Sequence, residues 1–399
     1  MTPAAPQPKI VPESEPPVGR RLAAIPPSGT MAVGRRVREL RAQGIDVINL
    51  GGGVPEPAPE FLSRPIQFPA DLNAGGDPAG EPKLRRAIAD KLSRDQGLNY
   101  DPETEIAVTI GAKQGLYAAL LAMIDPGDEV AVLDPAWVTY APSVVLAGGT
   151  VRAFRLDAAR GFALDAPALE AAITEKTRAI VVNTPHNPTG HVFTAADLEP
   201  VARIARERNL WVISDESFER FVFDGRAHLS VATLPGMRER TVVLQSFSKG
   251  YGLIGARVGY LAAPGRIASQ VARFNEQVLT SVSPFAQFMA MQALAEEPQW
   301  TPKLQAHYAM KRDITVAAVR ALPGFDCHVP DGAFYVFADV TRLGKSSAAV
   351  VDEILDRARV ALTPGSAFGE GGEGYVRFNL AGPVAAIREG LDRLKRVYG

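Results

Sequence analysis

Residues 246–260 read SFSKGYGLIGARVGY, and the fold turns on what this stretch is taken to be. Gly250, Gly252 and Gly255 spell G-x-G-x-x-G, the spacing that seats a dinucleotide pyrophosphate on a helix N-terminus. The same stretch holds Lys249, flanked by Ser246 and Ser248, with Arg257 eight residues downstream. A dinucleotide fingerprint follows its strand directly, opens a helix, and meets an acid about 20 residues on at the end of a second strand. Here Ser248 and Lys249 intervene, residues 256–262 (ARVGYLA) read as a strand, and the first downstream acid, Glu276, lies in a helical pattern. The spacing of the glycines is therefore a coincidence. They read instead as a close-packed bridge that returns Arg257 toward Lys249.

Working outward, short β-branched runs alternate with helical patterns from residue 100 onward. IAVTI (106–110) leads into GAKQGLYAALLAMI, whose Leu116, Ala119, Leu120 and Met123 share a helical face before Asp125-Pro126-Gly127-Asp128 stops it. VAVL (130–133), AIVVN (179–183), LWVIS (210–214) and TVVLQS (241–246) are further strands, with the amphipathic AADLEPVARIARERN between two of them. Near-continuous apolar strands separated by helices predict an α/β fold with a mostly parallel sheet covered on both faces. From about residue 285 the pattern changes to helices over 284–296 and 301–321, short strands, and a terminal helix over 383–398. The expected division is a large unit over 50–290 and a smaller α+β unit over 21–49 and 291–399, preceded by a Pro-rich arm over 1–20.

Parallel sheets bind ligands at the carboxyl ends of their strands, so what stands there decides the chemistry. Gly111, Ala112 and Lys113 follow the first strand and open a helix, whose free N–H groups attract an anion. TPHNPTG with Asn187 follows 179–183, Asp215 and Ser217 follow 210–214, and Ser246, Ser248 and Lys249 follow 241–245. An anion pocket, an amide, a carboxylate and a lysine with two hydroxyls thus meet at one edge. Pyridoxal phosphate needs all of these: an amine for its aldehyde, a carboxylate for its pyridine nitrogen, a donor for its phenolic oxygen, and a helix start with an arginine for its phosphate.

The motif S-x-S-K-x(7)-R-x-G-Y, here Ser246, Ser248, Lys249, Arg257, Gly259 and Tyr260, resembles that of the class I/II aminotransferases of fold type I. Further segments are similar in the same order: LRAQGIDVINLGGGVPEP, AGEPKLRRAIADKL, DPAWVTY, NTPHNPTG, DGAFYVF and VALTPGSAFGEGGEGYVRFNLA. The resemblance implies a large domain with a seven-stranded sheet, a smaller domain, and a homodimer with active sites near the subunit interface. It implies that Lys249 forms the Schiff base and shuttles the proton, Asp215 pairs with the pyridinium, and Asn187 donates to the phenolic oxygen. Trp137 would stack on the ring, while Ala112, Lys113, Ser246, Ser248 and Arg257 would hold the phosphate. Arg377 would fork onto the substrate carboxylate, and Gly53 would approach the substrate.

Three positions depart from that pattern. The family has a tyrosine where this chain has Phe218, so the phenolic oxygen loses a donor, and Ser217 stands where an apolar residue is usual. Asp215 and Ser217 are two apart, which on an extended segment would aim both the same way and put a hydroxyl under the ring. Gly75 stands where the family places a tyrosine that reaches the neighbouring subunit's phosphate. The leading reading is ping-pong transfer of an amino group from an α-amino acid to a 2-oxo acid. The same Lys249 and Asp215 would also serve β- or γ-elimination, replacement or cyclisation.

Composition bounds the rest. Forty-three basic and 44 acidic residues leave a net charge of −1, so nothing predicts nucleic acid or an anionic membrane as partner. An effector-sensing module tied to a DNA-binding domain would need more, and more basic, chain before residue 30. The single Cys327 fits a reducing cytoplasm and no Cys-based metal site. No apolar run reaches the roughly 18 residues of a membrane span.

Overall fold

The computed structural model describes residues 20–399, so the arm expected over 1–20 lies outside the described residues except at Arg20. The main sheet has eight strands: β1 (Ile106–Thr109), β2 (Glu129–Asp134), β3 (Thr150–Asp157), β4 (Ala163–Leu164), β5 (Thr177–Asn183), β6 (Trp211–Asp215), β7 (Thr241–Ser246) and β8 (Gly259–Ala262). Their spatial order is β1-β8-β7-β6-β5-β2-β3-β4. Strands β3, β2, β5, β6 and β7 run parallel, β8 is antiparallel to both β7 and β1, and β4 turns back on β3. The eighth strand is the two-residue β4, one more than the expected seven.

Burial explains which strands were legible. Every residue of β1 and β7 is buried, as are all but the first of β6, and these runs are mostly apolar. β3 was not foreseen because TVRAFRLD lies near the sheet edge, buries only Phe154 and Leu156, and exposes its arginines. Only 259–262 of the expected 256–262 strand is extended; Ala256 and Arg257 belong to a turn, and Arg257 takes φ +55°.

Helix α1 (Pro82–Gln96), α2 (Gly111–Met123), α3 (Ala195–Glu207) and α4 (Gly265–Leu279) cover the main sheet. α3 starts at a capping box in which Thr194 and Asp197 satisfy each other's backbone N–H groups, and it buries Leu198, Val201, Ala202 and Ala205. The expected pair of helices after residue 284 is one continuous helix, α5 (Pro284–Arg320), with Pro298 and Pro302 inside it. Each proline removes one intrahelical donor, which favours a break. Packing outweighs that loss, because Ala286, Ala290 and Ala293 join the core beside β1 while Leu304, Tyr308, Val316 and Val319 join a second core. The boundary expected at 290/291 therefore falls within a helix.

The second core underlies a four-stranded antiparallel sheet of β9 (Asp326–Cys327), β10 (Tyr335–Asp339), β11 (Thr363–Pro364) and β12 (Tyr375–Asn379), ordered β9-β10-β12-β11. Helix α6 (Val384–Tyr398) covers it through Ile387, Leu391 and Leu394. A parallel pair, Ile48–Asn49 with Val360–Ala361, brings the N-terminal segment onto this sheet. Cys327 is buried there as a small filler.

Candidate active site

The carboxyl ends of β1, β5, β6 and β7 open into one cavity of about 350 Å³. Two glycines make this convergence sterically possible. A Cβ on Gly111 would lie 2.7 Å from Arg257 Nη2, and one on Gly259 would lie 2.6 Å from the Gln245 carbonyl oxygen. Arg257 therefore lies across the start of α2, where it donates from Nη1 to Ser248 Oγ at 3.1 Å and to the Ile254 carbonyl at 3.1 Å. Ser246 Oγ accepts from the Ser248 N–H at 3.1 Å. Ala112, Lys113, Ser246, Ser248 and Arg257 line this cationic end. Lys113 Nζ stands 5.5 Å above the Trp137 ring, which forms a wall of the cavity.

At the floor stands Asp215, the one carboxylate lining the cavity among the described residues. It is 3 % exposed. Burial raises its proton affinity, and hydrogen bonds from Ser217 and Tyr140 counter that. Tyr140 Oη donates to Oδ2 at 2.7 Å and the Ser217 N–H donates to Oδ1 at 3.0 Å. Ser217 reaches the cavity, though by a different route from the one expected: β6 ends at Asp215 and residues 217–220 form a turn, so no extended segment connects the two. Phe218 is buried edge-on to Phe334 and Tyr335 and has no hydroxyl to offer.

Lys249 Nζ lies 5.8 Å from the Phe218 ring centre and 5.5 Å from that of Phe334. Loss of solvent, reinforced by the like charges of Arg377 and Arg257, brings its ammonium down from 10.5 to about 8. Asn187 lines the cavity and holds its orientation through two contacts: its N–H donates to Asn183 Oδ1 at 2.9 Å, and its Oδ1 accepts from Arg377 Nη1 at 2.9 Å. Its amide NH₂ is left to donate.

Arg377, 4 % exposed, donates from Nη2 to the Gly51 carbonyl at 3.1 Å and leaves Nε without a partner. Its guanidinium lies 4.3 Å from the Tyr335 ring centre and 4.6 Å from that of Phe368. Gly53 sits on the same loop as Gly51 but is exposed and packs near Ala381, outside the cavity lining. Gly75, at φ +85°, has open space around it.

Three contributors were missed in the sequence. Tyr140 follows Trp137 by three residues and packs edge-on to it at 5.4 Å, a helical spacing that was a usable signal. Asn183 ends β5 and donates from Nδ2 to the Asp215 carbonyl at 2.9 Å, tying two strand ends together. Tyr335 carried no signal apart from its motif.

The charge arrangement is unusual. Among the described residues none of Lys113, Lys249, Arg257 and Arg377 forms a salt bridge, although most arginines elsewhere do. Lys113, Lys249 and Arg257 line the cavity with one buried carboxylate, and Arg377 stands just outside the lining behind Asn187; a ligand carrying a phosphate and a carboxylate would neutralise such a set.

Sheet and cavity together define an α/β enzyme built on a buried lysine and a buried carboxylate. The family described as "Aminotransferase class I and II" matches residues 46–394. An aspartate aminotransferase of Pyrococcus abyssi is 37% identical over 368 residues, covering 91% of this chain and 94% of that protein. An aromatic-amino-acid aminotransferase of Thermococcus litoralis is 36% identical over 89% of this chain and 93% of its own. The structure of Thermus thermophilus aspartate aminotransferase with maleate superposes with a TM-score of 0.88 at 34% identity, covering 96% of this chain and all of that one. The chain belongs to the class I and II aminotransferase family, and its fold is that of the fold type I aminotransferases.

Proposed function

We propose that this chain is a pyridoxal phosphate-dependent aminotransferase that moves the amino group of an α-amino acid to a 2-oxo acid. The observation that carries this reading is the cavity in which Lys113, Lys249 and Arg257 stand with Asp215, and which Arg377 adjoins through Asn187, none of the four cations forming a salt bridge among the described residues. The cofactor, when bound, supplies an aldehyde and an electron-withdrawing ring. The residues present fit it. Lys249 Nζ is the amine for the aldehyde, Asp215 the anion for the ring nitrogen, and the Asn187 amide a donor to the phenolic oxygen. Trp137 covers one ring face. Ser246, Ser248, Arg257 and the first N–H groups of α2 at Ala112 and Lys113 take the phosphate, with Gly111 allowing the close turn.

Arg377 is the anchor for the substrate α-carboxylate, because its guanidinium is buried, directed by Asn187 and Gly51, and otherwise uncompensated. With the amino acid so held, Lys249 Nζ would be the base that takes the proton from its Cα. Gly53 is assigned to the rim rather than to direct substrate contact. The relatives are named for aspartate and for aromatic amino acids, so the assignment here stays at the level of α-amino acids. Formation of the pyridoxamine form with one amino acid, and its reversal by a 2-oxo acid, tests transfer against elimination, replacement or cyclisation. Release of ammonia without that reversible change would overturn it.

The assembly we infer is a homodimer: Phe68 and Phe285 are 44% and 42% exposed and pack edge-on to each other. Such a patch calls for a partner surface. No described helix is long and apolar enough to cross a membrane, and with one cysteine the cytoplasm suits the chain. Residues 50–290 are assigned as the cofactor unit, and 21–49 with 291–399 as the smaller one.

Two further results are expected. Arg377→Ala raises KM for the amino acid about 10²-fold, the cost of removing one partner of a buried charged contact. Steady-state kinetics measure it, and a KM within twofold of the parent would remove Arg377 from this role. Second, capture of the aldehyde needs the neutral amine. With Lys249 at about 8, the rate at which the cofactor-free chain takes up pyridoxal phosphate rises with pH and levels off above about 8. A rate still climbing in proportion to hydroxide at about pH 10, where an ordinary lysine titrates, would contradict the lowered value.

A further inference from the structure

Behind Asp215, on the side away from the cavity, lies a second carboxylate that the reaction described above does not use. Glu216 is fully buried, and its oxygens accept from Ser214 Oγ at 2.8 Å, His228 Nε2 at 2.9 Å and Gln96 Nε2 at 3.3 Å. Its backbone N–H donates to the Leu244 carbonyl on β7, the strand that leads to Lys249. Gln96 Nε2 also donates to Glu219 at 3.3 Å, and Glu219 is neutralised by Lys91 at 2.6 Å. A fully buried carboxylate is costly unless several donors surround it, and such arrangements persist where they fix a geometry. Glu219 has its lysine. Glu216 has no lysine or arginine at contact, and its one titratable partner is His228.

We propose that Glu216, held by His228, is a positioning residue for Asp215 that fixes the end of β6 and adds a second negative charge behind the cofactor nitrogen. The Ser214 Oγ–Glu216 bond holds Glu216 on the Ser214 side of the strand end, opposite the cavity side taken by Asp215, so locking Glu216 there sets the direction of Asp215. The Glu216 charge also makes Asp215 hold a cation or proton more tightly, a minor addition to the effect of burial.

The proposal rests on the cofactor reading above, and one experiment separates the two. Equilibrium binding of pyridoxal phosphate to the cofactor-free full chain is measured by absorbance for the parent, Glu216→Gln, His228→Gln and the double variant. Expected are a Kd about tenfold higher for Glu216→Gln and about threefold higher for His228→Gln, with the double variant no weaker than Glu216→Gln alone. In the loaded enzyme, kcat falls for Glu216→Gln while KM for the amino acid stays within about twofold, a split that general loosening would not give. A parent chain that binds no pyridoxal phosphate sinks the cofactor reading. A parent that binds, with both single variants binding equally well, sinks the role of Glu216 alone. If Glu216→Gln does not fold, as judged by circular dichroism, His228→Gln carries the test, and an unchanged Kd for it overturns the proposal.

Discussion

Replacing Lys249 with alanine is expected to lower turnover of an amino acid and 2-oxo acid pair by at least about 10⁴-fold, since in the function proposed one side chain would supply both the amine and the proton shuttle. No other amine is placed to substitute. Lys113 Nζ stands over Trp137, and among the described residues no further lysine lines the cavity. Fold stability should not fall, because the Lys249 ammonium forms no salt bridge or hydrogen bond among the described residues and its removal relieves repulsion with Arg257 and Arg377. The check is twofold. Activity is measured together with borohydride trapping of the bound cofactor, which the variant should lose. A variant that keeps a tenth of parental activity would remove Lys249 from the chemistry.

Asp215→Asn is expected to cost about 10³-fold in kcat, the range seen when one preorganised electrostatic partner of a developing charge is removed. The asparagine is isosteric, and its one amide oxygen still accepts from Tyr140 Oη, which bonds Asp215 Oδ2 at 2.7 Å, while the Ser217 N–H, which donates to Oδ1 at 3.0 Å, loses its acceptor. What is lost is the negative charge, and with it the means of keeping a proton on the ring nitrogen. Asp215 has its proton affinity raised by burial. Its folded form is therefore penalised once the carboxyl ionises in the unfolded chain; the neutral variant is relieved of that penalty but loses the Ser217 hydrogen bond, so its stability at neutral pH should stay close to the parent's. Thermal unfolding of the cofactor-free chain tests the stability and single-turnover kinetics the rate. A variant within tenfold of the parent would mean that the ring nitrogen needs no anion here.

Much of this site was legible because a parallel sheet gathers strand ends. Asn187, Asp215, Ser246, Ser248 and Lys249 each follow an apolar run closely, and such runs point the same way once helices connect them. Arg257 was legible through its distance from Lys249. The strand that resisted was β3, whose arginines face solvent at the sheet edge and hide its pairing with β2. The proline pair in α5 misled because local propensity favours a break, whereas two cores on opposite ends of one helix hold it together.

Residue chemistry and order along the chain were thus determined by the amino-acid sequence: which functional group stands after which strand, and that a lysine rather than a glycine fingerprint is the centre of SFSKGYGLIGARVGY. Only the tertiary structure decided who partners whom. Tyr140 on Asp215, Asn183 between two strand ends, Gly51 rather than Gly53 beside Arg377, and Glu216 behind the sheet all join residues from separate elements. The physical reason is that an unpaired charge and a surface charge look alike in sequence. Burial and the absence of a counter-ion tell them apart, and both are properties of the packed chain.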